Sequence, residues 1–423
     1  MKAIFSVALS LVLLLVGCTQ SSMETGTHQQ TPPPSQSELE PEPVPEPQPV
    51  VAHLMVAGDI MSHMPITKDA YVEATGAYDY SHLFQFAAQQ LERADYAVAN
   101  LETVLGGGPK YSGFPAFNSP DALAYGAKQA GFDLLSTANN HSRDQGLNGI
   151  YRTLDVLDQV GMAHVGTYRS QEELEENRGI YVADVGGVSV AFLSYTYGLN
   201  GFRLDSDKMY AVNLFNVDYY TTLANPDYDR IQKDLEAARA LDTDLIAVMI
   251  HWGIEYQNSP NVHQTKLAEF LVEQGTDLVL GGHPHVLQPY ETITVSGWDG
   301  KQREGFVCYS LGNFISNQYD PAPATMTTAV LDLELTRDPS TGETSVTDVG
   351  YQPYYMLHRD GAPVGERRYL VNIHQAIAEY EAGEHSLVDA GAYKKLKEAL
   401  EHCHTILGEE GDLGWQEPLP EAA

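Results

Sequence analysis

Five short stretches of the chain carry side chains able to hold a cation or move a proton. They are Gly58-Asp59, Asn100-Leu101-Glu102, Asn139-Asn140-His141, His251-Trp252-Gly253 and His283-Pro284-His285, and each follows an apolar run. Together they offer carboxylate, amide oxygen and imidazole, and no thiolate. That mix suits hard or borderline divalent ions such as manganese, zinc, iron(II) or magnesium, and it is not a structural zinc knot. A carboxylate in such a set can bridge two ions roughly 3.5–4 Å apart, the arrangement used for in-line attack on phosphate esters. Singly, each stretch has an ordinary reading. Gly-Asp ends many strands as a turn. A lone histidine such as His251 sits satisfied in many cores. Asn139-Asn140 tolerates left-handed backbone. The shared position at successive strand ends is what makes a convergent site the expectation.

The elements that must position these residues alternate. Residues 50–59, 95–102, 131–141, 244–253 and 277–285 read as strands that run into loops. Residues 82–94, 147–160, 226–241 and 262–274 read as helices between them, and Ser119-Pro120-Asp121 reads as a helix start with serine as the cap. Residues 181–195 read as a hairpin around Gly186-Gly187. Residues 305–314 and 327–336 follow as strands, and the tail reads as helices over 366–382 and 391–407. Strands alternating with helices predict an α/β body. In such sheets ligands sit beyond the carboxyl ends of the strands, where these five stretches fall. Gly58, Gly281 and Gly282 would let backbone approach a ligand closely.

Composition fits a folded body, with 43% hydrophobic and 19% charged residues. The 57 acidic against 24 basic residues give a formal net charge of −33. Such a surface repels nucleic acid and anionic lipid head groups, so no nucleic-acid partner is expected. It also opposes an anionic polymer unless metals or an uneven surface mediate contact. The N-terminus, one lysine and an apolar run ending Leu15-Val16-Gly17-Cys18, has the layout of a secretory signal. Its last four residues resemble a bacterial lipoprotein signal, which implies cleavage after residue 17, lipid on Cys18 and an extracytoplasmic, membrane-anchored protein. Residues 18–50 are rich in proline and glutamate and read as a stalk. Residues 51–340 read as the main domain, with 341–423 completing it or docking on it. Cys308 and Cys403 read as isolated thiols, with Cys308 in a strand.

The ordered series Gly-Asp (58–59), Asn-Leu-Glu (100–102), Asn-Asn-His (139–141) with Asp144 and Gly146, His-Trp-Gly-x-Glu-Tyr (251–256), Gly-His-Pro-His-Val-x-Gln (282–288) and Ser-Leu-Gly-Asn-Phe (310–314) resembles the CapA family. These are capsule or poly-γ-glutamate synthesis proteins related to calcineurin-like metallophosphoesterases. The resemblance covers about residues 53 to 320. It implies a four-layer α-β-β-α sandwich of the metallophosphoesterase type, holding one or two divalent ions, with manganese, zinc or iron foremost. It implies Asp59, Glu102, Asn140, His251, His283 and His285 as ligands, Glu102 as the bridge and His141 as the catalytic imidazole. The wider superfamily begins Asp-x-His, whereas Ile60 and Met61 follow Asp59 here, and the nearest histidine is His63. The second motif ends in Glu where the superfamily has Asp. One metal position is therefore expected to be differently built.

Arg143, Trp252 and Glu255 read as substrate contacts, against ordinary readings of a surface ion pair for Arg143 and packing for Trp252. Three functions compete. The first is a surface-anchored protein of a polyglutamate or capsule synthesis complex with a metal-dependent hydrolase-like site. The second is a general metallophosphoesterase unrelated to polyglutamate. The third is a scaffold that holds metal without catalysis. Metal content, turnover of aryl phosphates and dependence on His141 separate them.

Overall fold

Alternate residues of the strand Val50–Ile60 go to opposite sides of a sheet. Leu54 and Val56 enter one core, and Met55 and Ala57 enter another. This period of two is the signature of a strand buried on both faces. The computed structural model describes residues 48–384 and 387–415. The signal, Cys18 and nearly all of the stalk therefore lie outside the described residues.

The first sheet runs in the order Arg368–Asn372, Thr344–His358, Thr327–Arg337, Val50–Ile60, Tyr96–Leu101, Leu134–Ser136, Ala163–Val165, with Asn313–Ile315 paired to Val50–Ile60. Its last four strands are parallel. The second sheet runs Leu287–Ser296, Gln302–Leu311, Leu278–Gly282, Leu245–His251, Val188–Thr196, Tyr181–Val185. Its four central strands are parallel. The sheets face each other through Leu54, Val56, Leu331 and Leu333 on one side and Phe192, Met249, Leu280 and Phe306 on the other.

A helical layer covers each outer face. Leu83, Phe84 and Leu91 of Ser81–Leu91 and Leu123 and Ala127 of Ala122–Gln129 cover the first sheet. Ile231 and Leu235 of Tyr228–Arg239 and Leu267, Leu271 and Val272 of Val262–Glu273 cover the second. The body is thus the expected four-layer α-β-β-α sandwich. Each fully buried leucine in these layers is worth about 2–5 kcal/mol against alanine. The helix Val262–Glu273 starts from a capping box, in which Asn261 accepts from the Gln264 backbone N–H and the Gln264 side chain accepts from the Asn261 N–H.

Three sequence expectations are corrected. Ser119 does not cap a helix. Its hydroxyl bonds Thr103 at 2.7 Å, and the helix begins at Ala122 after Asp121. The stretch 366–382 is strand before it is helix. Arg368–Asn372 pairs with Thr344–His358, and only Ile373–Glu381 is helical, with Asn372 accepting from the Gln375 N–H. The strands Ala163–Val165, Leu287–Ser296 and Thr344–His358 were not expected. Residues past 340 thus supply two strands of the first sheet. Cys308 and Cys403 are free and buried, and burial pushes the Cys308 thiol up to about 12.

Candidate metal centre

The carboxyl ends of parallel strands from both sheets meet at one place. Asp59 comes from Val50–Ile60, and Glu102 follows Tyr96–Leu101. His251 ends Leu245–His251, and His283 and His285 follow Leu278–Gly282. All five are 0–4% exposed. Among the described residues, three donor groups have ligand atoms within 4.8 Å of one another: Glu102 with His251 and His283, Asp59 with Glu102 and His285, and Glu255 with His283 and His285. Glu102 belongs to two of the groups, as a bridging carboxylate would. His251 Nε2 lies 3.4 Å from Glu102 Oε1 and 2.9 Å from Asn140 Oδ1. His285 Nδ1 lies 3.8 Å from Asp59 Oδ2 and 3.9 Å from Glu102 Oε2.

The backbone is bent to make this arrangement. His283 and His285 have φ of 99° and 60°. Left-handed backbone at non-glycine residues costs of order 1–3 kcal/mol and persists only where the surroundings enforce it. Here the His283 backbone N–H donates to Asp59 Oδ2 at 3.1 Å, and His285 Nδ1 is 3.0 Å from Asn313 Oδ1. Glycines give the remaining room. A Cβ on Gly58 would lie 2.1 Å from the Gly312 carbonyl oxygen, and one on Gly282 would lie 2.7 Å from Asp59 Oδ1.

The donor set fits a divalent cation. Among the described residues the ionised Glu102 carboxylate finds no hydrogen-bond donor at either buried oxygen, and His283 Nδ1 has no partner. Asp59 stands close enough to share a hydrogen bond with Glu102 only when one of the two carboxyls keeps its proton. Buried polar atoms without partners are rare, because each forfeits its hydration. Burial, then the charge of Glu102, pushes the Asp59 carboxyl up. Burial also pushes Glu102 up, and it pushes His251, His283 and His285 down. Protein atoms alone thus disfavour the ionised carboxyls and favour neutral imidazoles. A cation favours ionised carboxylate and neutral imidazole, the forms that bind metal.

The surrounding residues divide by what they touch. His141 Nδ1 is 2.7 Å from Asp144 Oδ2, and the pair is nearly buried. Burial acts to lower the imidazole, but the Asp144 hydrogen bond and the Glu102 charge outweigh it and raise it above its usual value. Arg143 has a buried Nε that finds no acceptor among the described residues, and its guanidinium lies 5.6 Å from the centre of the Phe202 ring. Trp252 is 1% exposed, and its indole N–H donates to the Tyr309 carbonyl at 2.9 Å, which leaves only its ring to face a groove. Glu255 is exposed and forms a possible donor group with His283 and His285. His63 is absent from the donor groups; its Nδ1 accepts from the Asn317 N–H at 3.3 Å, and its ring meets Phe117 edge-on.

Two residues take positioning roles that the sequence reading did not assign them, Asn100 and Tyr197. Asn100 donates to Asp59 Oδ1 at 2.7 Å and sits 3.3 Å from His251 Nδ1. Its place near the end of the strand Tyr96–Leu101, two residues before Glu102, was the available signal. Tyr197 packs over His251 and His283, with ring centres 6.2 and 4.6 Å away. Nothing in its local sequence marks it.

Comparison with known proteins agrees with these motifs. Similar proteins include the capsule biosynthesis protein CapA of Bacillus anthracis, 28% identical over 63% of this chain and 60% of that protein. The PGA biosynthesis protein CapA of Bacillus subtilis (strain 168) is 28% identical over 62% of each. The chain thus matches less than two thirds of the length of either relative. The solved calcineurin-like phosphoesterase YfkN from Bacillus subtilis overlays 85% of this chain and 98% of its own at 12% identity, with a TM-score of 0.38. The family described as bacterial capsule synthesis protein PGA_cap matches residues 53–318, which hold every donor named above, and the chain belongs to that family.

Proposed function

We propose that the chain is an extracytoplasmic protein of capsule or poly-γ-glutamate synthesis or export, anchored through lipid on Cys18, with a metal-dependent hydrolase-like site. The observation that carries the site reading is the buried Glu102 carboxylate, whose ionised form finds no hydrogen-bond donor among the described residues, grouped with Asp59, His251, His283 and His285. The family match and the two CapA relatives support the pathway. The Leu15–Cys18 motif supports the anchor.

In this reading Asp59, Glu102, His251, His283 and His285 hold the cation, with the Asn140 amide oxygen beside them. A divalent ion held there supplies Lewis acidity toward a phosphoryl or carbonyl oxygen and offsets negative charge as it develops. His141 delivers a proton to the leaving group. Asp144 fixes its Nδ1 and so leaves Nε2 for that transfer. Asn100 and Asn313 hold Asp59 and His285 in place. Arg143 offers a guanidinium to an anionic substrate oxygen. The His141–Asp144 pair favours a hydrolase over a scaffold, because holding metal requires neither residue.

The test is turnover of an aryl phosphate by the purified full chain with manganese, beside polymer production in cells carrying the same variants. His141→Gln should cut turnover about 10²–10⁴-fold with metal content unchanged. Polymer production should fall with it. Full polymer production by Asp59→Ala and His283→Ala chains would sink the reading.

A further inference from the structure

A cavity of about 520 Å³ opens beside the candidate metal centre, between Tyr197, Phe215, Trp252, Ile254, Glu255 and His283. Among the described residues no lysine or arginine lines it, and Glu255 is its only carboxylate. Away from the His283 edge that it shares with the metal centre, an anionic group there would lose its hydration, find no lysine or arginine and share the wall with Glu255. That part of the cavity therefore disfavours negative charge. Most of its wall is apolar or aromatic, which favours an occupant with an apolar body.

Two side-chain polar atoms of the wall lack a partner among the described residues: His283 Nδ1, which belongs to the metal centre, and Asn216 Oδ1. Asn216 is 4% exposed, and its Nδ2 donates to the Tyr197 carbonyl at 2.9 Å. That bond fixes which end of the amide is oxygen, since a flipped side chain would set oxygen against oxygen. Asn216 Oδ1 is then buried with no donor. The neighbouring amide oxygens are engaged: the Gln264 side chain bonds Gln288 and the Asn261 N–H, and Asn261 Oδ1 accepts two backbone N–H groups. The wall thus asks for one hydrogen-bond donor on an uncharged ligand.

We infer that this cavity is a subsite for a neutral, amide-bearing group of the substrate that donates one N–H or O–H to Asn216, not for the carboxylates of a polyanion. The inference rests on the metal-centre reading, because the cavity shares His283 and Glu255 with it. It narrows the substrate to one carrying an uncharged peptide-like or acetamido portion next to the reacting group.

The test is ligand-observed NMR titration of the manganese-loaded full chain with N-acetyl-L-leucinamide, N-acetylglucosamine and tri-γ-glutamate. Inorganic phosphate is held at saturation, so that carboxylate binding at the metal does not count. One neutral probe should bind at least tenfold tighter than tri-γ-glutamate. The leucinamide leading assigns a peptide-like portion, and N-acetylglucosamine leading assigns an acetamido sugar. Asn216→Leu should weaken the better neutral probe about threefold to tenfold, the range for one hydrogen bond. Ala224→Arg, on the exposed rim of the same cavity, should shift the preference toward tri-γ-glutamate. Equal or tighter binding of tri-γ-glutamate to the wild-type chain overturns the inference, as does unchanged binding by both variants. Neutral-probe binding without metal-dependent turnover of any substrate sinks the hydrolase reading and leaves the subsite standing. Turnover without neutral-probe binding sinks the subsite alone.

Discussion

Adjacent glycines at the end of one strand should fail in different ways when each is given a single methyl group. Gly282 has no left-handed backbone, so alanine fits its φ and ψ. Its Cβ would nevertheless lie 2.7 Å from Asp59 Oδ1, inside the closest approach that Cβ atoms make. The carboxylate would have to move by roughly 0.5–0.7 Å to restore ordinary contact. It is held by Asn100 Nδ2 at 2.7 Å and by the His283 N–H at 3.1 Å, so the shift strains both bonds. Disturbing the setting of a metal ligand typically costs about 10–100-fold in affinity. Gly282→Ala should therefore bind manganese about 10–100-fold more weakly, while the metal-free protein melts within a few degrees of wild type. Gly281 faces the other way. A Cβ there would lie 2.2 Å from the Tyr309 carbonyl oxygen and 2.6 Å from Trp252 Nε1. Gly281→Ala should lose about 1–3 kcal/mol of stability through overpacking, and the chains that fold should bind manganese normally. Calorimetric titration of manganese into chelator-treated protein, with melting curves of the same samples, reads both quantities. Wild-type affinity in Gly282→Ala would refute the placement of Asp59 as a ligand.

Asp69 ties an early helix to the loop between the strands Thr344–His358 and Arg368–Asn372. It accepts from the Gly365, Arg367 and Arg368 backbone N–H groups at 2.8–3.0 Å. Burial acts to raise its carboxyl, but hydrogen bonds from His82 and these backbone groups hold it below the ordinary range. A lowered carboxyl stabilises the fold above its unfolded-state pKa of about 4 and loses that contribution as pH falls through the lower folded value. Asp69→Asn should lower the melting temperature at pH 7, and the gap to wild type should shrink in melts taken below pH 4. Asp144→Asn should lower turnover about as far as His141→Gln does, since it removes the group that sets the imidazole, and metal content by elemental analysis should stay at wild-type level.

The layers were legible because their strands and helices carry clean periods. Leu54 and Val56 alternate with Met55 and Ala57, and the Val262–Glu273 helix announces itself through Asn261 and Gln264. Arg368–Asn372 was read as helix because a short apolar run has no period of its own, and its strand character comes from pairing with Thr344–His358. The donors were legible because each stands where an apolar run ends. The residues that hold them were less so. Asn313 reaches His285 across 28 residues and Asn100 reaches Asp59 across 41, contacts that only the fold creates. The missing histidine after Asp59 also has a physical account, since Ile60 and Met61 are buried at 0% and 1% and pack as core. Glu255, which reads as a substrate contact in sequence, stands beside His283 and His285.

The central claim is that strand ends from two sheets build one cation site around Glu102. Metal content of the Glu102→Gln chain tests it most directly, because the substitution keeps shape and removes only the charge and the ligating oxygen. After loading with manganese and exhaustive dialysis, wild type should retain at least one ion per chain. Glu102→Gln should retain far less, with binding weakened more than 100-fold, and its circular dichroism should be unchanged. A Glu102→Gln chain that holds as much manganese as wild type, with the same affinity, would contradict the account.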